Sequence, residues 1–140
     1  MVALQECPSA SRLDRVGSEF VLLGASRSHC GFVHLYARQE LAAKPVELKE
    51  HVHGVMVVLR LDAQSVTIVA VHLAPGGDSA ARRREQLRAL VKAKPEPDGV
   101  LVLAGDMNVR DDEVEALRGS FSVEEALYHG WSWDPQKNRY

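Results

Sequence analysis

The stretch HGVMVVLRLDAQSVTIVAVHLAP, residues 53–75, constrains the fold of this chain more than any other segment. Two apolar runs, Val55 to Leu61 and Val66 to Leu73, flank the polar sequence DAQS, and this arrangement predicts a β-hairpin. Successive side chains of a strand point to opposite faces, and in the second run the side chains of both faces are mainly apolar. A strand of this kind lies inside a sheet that other layers cover, so we expect a layered domain.

The segments on either side of this hairpin predict further strands and one long helix. VALQE, EFVLLGAS and GFVHLYARQEL have the β-branched and aromatic content of strands, and the polar turn SRSHCG separates the last two. After APGGDS the apolar period becomes helical, with Ala80, Leu87, Leu90 and Val91 on one face. Asp78 or Ser79 is the expected N-cap. A helix between strands, beside an antiparallel hairpin, predicts a domain of sheets and helices.

The second half of the chain contains an arginine run, a strand and a short helix. The Arg82–Arg84 run is interpreted as a solvated helix face rather than a phosphate track, with Arg83 as a candidate clamp on a loop. KPEPDG ends the helix, Val100 to Leu103 predicts a strand, and RDDEVEALRG predicts a short helix closed by Gly119.

Composition favours one globular domain over residues 1–140. Hydrophobic residues make up 46% of the 140 and charged residues 26%, which suits a packed core. The net charge of −2 gives no global basic field, although a local basic patch remains compatible with nucleic-acid binding. Cys7 and Cys30 are expected to be free thiols. No apolar run approaches the roughly 18 residues that span a membrane, and no signal peptide is recognised, so we expect an intracellular protein, cytoplasmic or nuclear.

Polar side chains follow three of the predicted strands: Glu6, His72, and Asp106 with Asn108. If these strands lie side by side with their ends aligned, the four residues meet at one rim. Two carboxylates and an amide suit a hard cation such as Mg²⁺. An imidazole beside them can bind a phosphoryl oxygen or exchange a proton near neutral pH. This set predicts metal-assisted phosphoryl transfer.

The motifs LQE, HLAP, GDMN and SWDPQKN, in this order, resemble those of the endonuclease/exonuclease/phosphatase superfamily, which includes DNase I. The resemblance extends from residue 3 to about residue 138 and is greatest to the tyrosyl-DNA phosphodiesterase 2 branch. It implies a partial four-layer α/β/β/α sandwich of the DNase I-like type, with mixed, mainly antiparallel sheets. The implied activity is Mg²⁺-dependent phosphodiester hydrolysis, with Mn²⁺ as an alternative ion. The implied partner is DNA or RNA, with 5′-tyrosyl-DNA ends and a role in DNA repair as candidates.

The resemblance also assigns roles to individual residues. Glu6 would be the metal ligand, Asp106 would orient or activate the attacking water, and Asn108 would hold a phosphate oxygen. His72 would sit at the phosphate site. Arg110 would contact the substrate backbone and Trp133 would line the substrate groove.

The chain departs from the family pattern at three places. The family has a strand with an Asn ligand before LQE and an Asp-His pair after the last motif here, so the sequence is interpreted as an incomplete domain. Pro75 and Gly77 replace the Ser and Arg that follow HL in the tyrosyl-DNA phosphodiesterase branch. We expect the exposed sheet edges of such a domain to favour homo-oligomers.

Other interpretations remain open for each residue. Glu6 is alternatively a hydrogen-bonded strand-end carboxylate, His72 a core histidine, and Asp106 and Asn108 plain turn formers. Arg110 is alternatively the partner of a nearby acid, and Trp133 a core aromatic. The remaining histidines show no convincing metal-ligand spacing: His29, His34, His51, His53 and His129.

Two other functions compete with nucleic-acid hydrolysis. A catalytically silent binding module would keep the groove but lack the terminal motifs. A phospholipid or inositol phosphate hydrolase would keep the chemistry, but no amphipathic membrane-facing helix is recognised.

Overall fold

The structure is a computed structural model, and it describes residues 1–14, 16–42, 47–51, 54–61, 64–93, 99–110, 113 and 116. Seven strands, two α-helices and one 3₁₀ helix are found in these ranges. In chain order they are β1 (Val2–Cys7), β2 (Phe20–Ser28), β3 (Gly31–Arg38), α1 (Gln39–Ala42), β4 (Glu47–His51), β5 (Gly54–Leu61), β6 (Gln64–His72), the 3₁₀ helix (Gly77–Ser79), α2 (Ala80–Lys92) and β7 (Val100–Asp106).

The strands form two sheets. One has the order β1-β3-β2 and is antiparallel throughout. The other has the order β4-β5-β6-β7, with antiparallel pairs except β6 and β7, which run parallel. The parallel pair requires a crossover connection, and α2 lies in that connection between β6 and β7.

The core lies between the two sheets. Val33 and Leu35 of β3 pack with Val55 and Val57 of β5 and with Ala70 of β6. All five are at most 1% exposed. Because residues of both sheets share one apolar cluster, the sheets pack face to face.

The expectation that the second strand of the central hairpin is buried on both faces is confirmed. Val69, Val71 and Leu73 are fully buried on one face, and Ala70 and His72 are buried on the other. Ala70 belongs to the core cluster, so the alternation of side chains turns His72 toward the first sheet.

Several predicted boundaries differ from the structure. β2 continues to Ser28, so the predicted six-residue turn SRSHCG contracts to a two-residue turn at His29 and Cys30. GFVHLYARQEL changes from strand to helix after Arg38. β6 already begins at Gln64, within the predicted turn, and β7 extends from the predicted Leu103 to Asp106. β4 was not predicted.

Helix α2 buries a face that differs from the predicted one. Its buried residues are Arg83, Gln86, Leu87 and Leu90, at the spacing of one helical stripe, whereas Val91 is 41% exposed. Arg83 Nη1 donates to the carbonyl oxygens of Ala74 at 2.7 Å and Gly76 at 2.8 Å. Gln86 Oε1 accepts from the N–H of Ala74. The candidate role of Arg83 as a clamp on a loop, here the loop after β6, is therefore confirmed, whereas Arg82 is exposed.

The chain divides into two compact units, Met1–Arg110 and Asp111–Tyr140. The first contains all seven strands. In the second, Glu113 and Ala116 are helical, within the predicted RDDEVEALRG helix, whose other residues 111–119 lie outside the described ranges. Within the described residues, no helix is long and apolar enough to cross a membrane.

Candidate active site

The ends of β6 and β7 bring His72 and Asp106 together. The two residues are direct register partners in the parallel pair, and the backbone N–H of Leu73 donates to the carbonyl oxygen of Asp106. His72 Nε2 lies 4.0 Å from Asp106 Oδ2. The His72 side chain is 3% exposed and that of Asp106 is 53% exposed. A buried imidazole thus stands beside an accessible carboxylate at one sheet edge.

Asn108 is fixed by two hydrogen bonds just beyond this pair. Its backbone N–H donates to Asp106 Oδ1 at 2.8 Å, and its side-chain Nδ2 donates to the carbonyl oxygen of Leu73 at 3.0 Å. Its φ of 49° is in the left-handed region, which asparagine tolerates better than most residues. The turn-forming interpretation is correct for the backbone, and it leaves Asp106 Oδ2 and the second amide hydrogen of Asn108 free to face a ligand.

Glu6 occupies a β-bulge at the end of β1. The register with β3 shifts between Leu4 and Cys7, and Glu6 has a φ of 55° and an exposed side chain. In the described part of the chain, Glu6 and Asn108 are the two non-glycine residues with positive φ. Bulges and left-handed backbone re-aim side chains and cluster at functional sites, so local backbone geometry singles out two of the predicted residues.

The expected side-by-side arrangement of all three strands is wrong for β1. β1 belongs to the other sheet, so Glu6 lies in the opposite layer of the sandwich. The sheets approach closely there: a Cβ on Gly105 would lie 2.6 Å from Gln5 Nε2 and would clash with the carbonyl oxygen of Val71. Gly105 also has a φ of 126°, so glycine is required both by its backbone and by this contact. The missing side chain lets the end of β1 abut the end of β7.

His29 and Cys30, at the tip of the β2–β3 hairpin, are site residues that the sequence did not indicate. The ring centroids of His29 and His72 are 4.4 Å apart, and Ser28 Oγ lies 3.5 Å from His72 Nδ1. His29, Cys30 and His72 each place one ligand atom within 4.8 Å of the others. Their sequence spacing gives no signal, because His72 lies 42 positions after Cys30 (72 − 30).

The pKa values of His29 and Cys30, at the hairpin tip, are shifted by burial and by nearby charged groups. Partial burial lowers the pKa of His29, as do the neighbouring His72 and Arg82, whereas the carboxylates of Glu6 and Asp106 act in the opposite direction. Desolvation raises the pKa of the Cys30 thiol, with further contributions from Glu6 and Asp106. Both carboxylates thus act electrostatically on the hairpin tip.

A cleft of about 490 Å³ opens beside His72. Four of the described residues that line it are arginines or histidines: Arg27, His29, His72 and Arg82. Ser28 and Ser79 add hydroxyl groups, and the lining residues that the structure describes include no acid. This is a local basic patch on a chain whose net charge is −2.

The guanidinium of Arg110 lies over Gly77. A Cβ at Gly77 would be 2.8 Å from Arg110 Nη1 and 3.0 Å from Cζ, so any side chain there would displace the guanidinium. Arg110 is exposed beside the loop that follows β6. Trp133, the other predicted substrate contact, lies outside the described residues.

A sequence profile for the endonuclease/exonuclease/phosphatase family matches residues 1–139, so the chain belongs to this family. The crystal structure of D. rerio TDP2, humanised by 14 mutations, is similar with a TM-score of 0.51 and 18% identity. The match covers 71% of this chain and 44% of that chain. Among curated protein sequences no significant match is found.

These similarities bear on the fold and the general type of activity. The mixed α/β fold with two mainly antiparallel sheets, predicted as a partial DNase I-like sandwich, is confirmed. Family membership favours a nuclease or phosphodiesterase type of function, in a family that is generally metal-dependent.

Proposed function

We propose that this chain is a divalent-metal-dependent phosphodiesterase that acts on nucleic acid, with 5′-tyrosyl-DNA ends as the candidate substrate. The observation that carries the proposal is the register pairing of His72 with Asp106 at 4.0 Å, beside a basic cleft. A phosphate seated in that cleft would have cationic groups around it and a carboxylate at its edge. Family membership supports this choice of reaction.

Each side chain of the rim has a chemical role in such a reaction. Asp106 is the candidate base: Asn108 occupies Oδ1, so Oδ2 is left to orient a water and take its proton. His72 donates a hydrogen bond to a phosphoryl oxygen, or a proton when it is charged. The second amide hydrogen of Asn108 donates to another phosphate oxygen, in an orientation that the bond to Leu73 fixes.

The donor set at the rim fits a hard divalent cation. Glu6 and Asp106 are exposed carboxylates, and both influence the pKa values of His29 and Cys30 at the hairpin tip. Carboxylate oxygens are the ligands that Mg²⁺ or Mn²⁺ prefers. We propose Glu6 as the primary ligand. When bound, the ion would act as a Lewis acid on the phosphate and would neutralise part of the charge that develops there.

The basic groups around the cleft support a polyanionic substrate. Arg27 and Arg82 line the cleft, and Arg110 lies over the loop that borders it at Pro75. Guanidinium groups bind phosphate in a bidentate manner, and they position a nucleic-acid backbone without reading its sequence. The likeness to TDP2 supports a 5′-tyrosyl end as the first substrate to test.

The proposal is tested by hydrolysis of two single-stranded oligonucleotides of the same sequence, one with a 5′-tyrosyl group and one without. We expect cleavage in Mg²⁺ or Mn²⁺ and none in excess chelator. Release of tyrosine from the first substrate alone would establish the end-processing activity, and equal cleavage of both would establish a general nuclease. A folded chain that cleaves neither substrate in either metal would contradict the proposal.

Arg82→Ala tests the basic cleft. We expect KM for an oligonucleotide to rise several-fold with little change in kcat, since Arg82 attracts the backbone without taking part in bond cleavage. The slope of log KM against log salt concentration should decrease by about 0.7, the value for one phosphate contact to a single strand. Arg88→Ala is the matched control, because Arg88 is exposed on the same helix but does not line the cleft. Equal effects of the two variants would show that Arg82 acts only through net charge.

A further inference from the structure

The hairpin tip and the end of β6 form a cluster of nitrogen and sulfur donors, of which the proposed reaction uses only His72. The cluster consists of His29, Cys30 and His72, whose ligand atoms lie within 4.8 Å of one another. His29 and Cys30 are exposed, and Cys30 is a free thiol. His72 is 5% exposed and is held at the core by its strand. One rigid donor and two accessible ones therefore converge from different parts of the chain.

We propose that His29, Cys30 and His72 bind Zn²⁺ in a site separate from that of the hard cation. Two imidazoles and a thiolate are the ligands that zinc prefers, whereas Mg²⁺ requires oxygen ligands. Three protein ligands with an open fourth position are typical of accessible zinc sites. The thiol releases its proton when the ion binds.

The geometry requires only a small closure of the cluster. Zinc bonds of about 2.0 Å to nitrogen and 2.3 Å to sulfur, in a tetrahedron, separate neighbouring ligand atoms by about 3.3–3.5 Å. The observed limit of 4.8 Å thus exceeds the required separation by about 1.3–1.5 Å. Side-chain rotations of the two exposed residues suffice for this closure, because His72 is the only one of the three that is packed in the core.

Carboxylates also lie near the cluster and can contribute to metal binding. The carboxylates of Glu6 and Asp106 and the guanidinium of Arg82 all act on His29. Asp106 Oδ2 is 4.0 Å from His72 Nε2, where a carboxylate orients a ligating imidazole or completes the coordination.

Zinc in this cluster would compete with the substrate phosphate for His72. This consequence depends on the proposed function, whereas metal binding itself does not. The imidazole cannot donate to a phosphoryl oxygen through a nitrogen that coordinates zinc, so occupancy would block hydrolysis. Hydrolysis would then depend on the zinc concentration and on whether the Cys30 thiol is reduced.

The test is binding of Co²⁺ and Zn²⁺ to the metal-free chain, without an activity assay. Co²⁺ reports tetrahedral thiolate coordination through a sulfur-to-cobalt charge-transfer absorption band. We expect one equivalent of Co²⁺ to produce this band, equimolar Zn²⁺ to abolish it, and excess Mg²⁺ to leave it unchanged. In Cys30→Ser the band should disappear and zinc affinity should fall at least about 10-fold, the lower limit even for losses outside the first ligand shell.

Cys7→Ala is the matched control, because it removes the chain's other thiol, which is buried whereas that of Cys30 is exposed. We expect it to keep the band and the affinity. Absence of the band in the folded wild-type chain would overturn the proposal. So would a band that survives in Cys30→Ser or disappears in Cys7→Ala. Since none of these measurements depends on turnover, failure of the zinc site is distinguishable from failure of the proposed hydrolysis.

Discussion

Asp106→Asn is expected to reduce phosphodiester hydrolysis by about 10²- to 10⁴-fold, the usual contribution of a positioned acid or base. The variant keeps an Oδ1 that can accept from the backbone N–H of Asn108, so the turn after β7 should be preserved. It removes the carboxylate that, in the proposed reaction, takes a proton from water and helps to bind a hard cation. The measurement is kcat/KM for the preferred oligonucleotide in saturating Mg²⁺, together with circular dichroism to verify the fold.

Asp14→Asn is the matched control for this prediction. It makes the same chemical change at an exposed carboxylate in the loop between β1 and β2. We expect its hydrolysis rate to equal that of the wild type within a factor of about two. If Asp106→Asn retained wild-type turnover, Asp106 would be only a turn former, and the assignment of the active site to the β6–β7 rim would be wrong.

Arg83→Ala is expected to lower the free energy of unfolding by about 3–5 kcal/mol. The substitution leaves the buried carbonyl of Ala74 without its partner at 2.7 Å and opens a cavity where a fully buried side chain was packed. It also releases the carbonyl of Gly76, in the loop over which Arg110 lies. Since domains of this kind are stable by about 5–15 kcal/mol, the loss is a large fraction of the total. Urea denaturation followed by circular dichroism measures it.

Two further variants keep this prediction testable if Arg83→Ala does not fold. Arg83→Lys retains a charged donor but loses the guanidinium that reaches both carbonyls, so its unfolding free energy should lie between those of wild type and Arg83→Ala. Arg82→Ala changes the neighbouring arginine, which is exposed, and should change stability by less than about 0.5 kcal/mol. Equal destabilisation by Arg82→Ala and Arg83→Ala would show that the loop clamp has no special role.

The fold was largely predictable because its strands have strong local patterns. The apolar alternation in residues 66–73 predicted a strand buried on both faces, and β6 lies inside its sheet as expected. The helical period after residue 79 predicted α2. Its buried face was wrong because periodicity counts apolar residues, whereas Arg83 and Gln86 are buried by hydrogen bonds to the loop after β6. β4, with the sequence ELKEH, was missed because it lacks a strong apolar alternation.

The candidate site was predictable only where its residues end strands. His72 and Asp106 were identified because polar residues at the end of an apolar strand are unusual, and the parallel register makes them neighbours. His29 and Cys30 were missed, because nothing in the sequence indicates that the turn between β2 and β3 lies beside the end of β6. Glu6 was identified, but its placement in the opposite sheet was not, because strand patterns do not specify which sheet a strand joins.

The sequence by itself therefore determined the family, the elements and the carboxylates at their ends, because strand propensity, helical period and motif order are local properties. The tertiary structure decided which side chains meet. It placed a hairpin tip against His72, turned the backbone of Glu6 to a positive φ, and set Gln5 against a glycine of β7. These contacts depend on how the two sheets pack face to face. Packing brings together residues that are far apart in the chain, and the sequence separation of two residues does not indicate their distance in space.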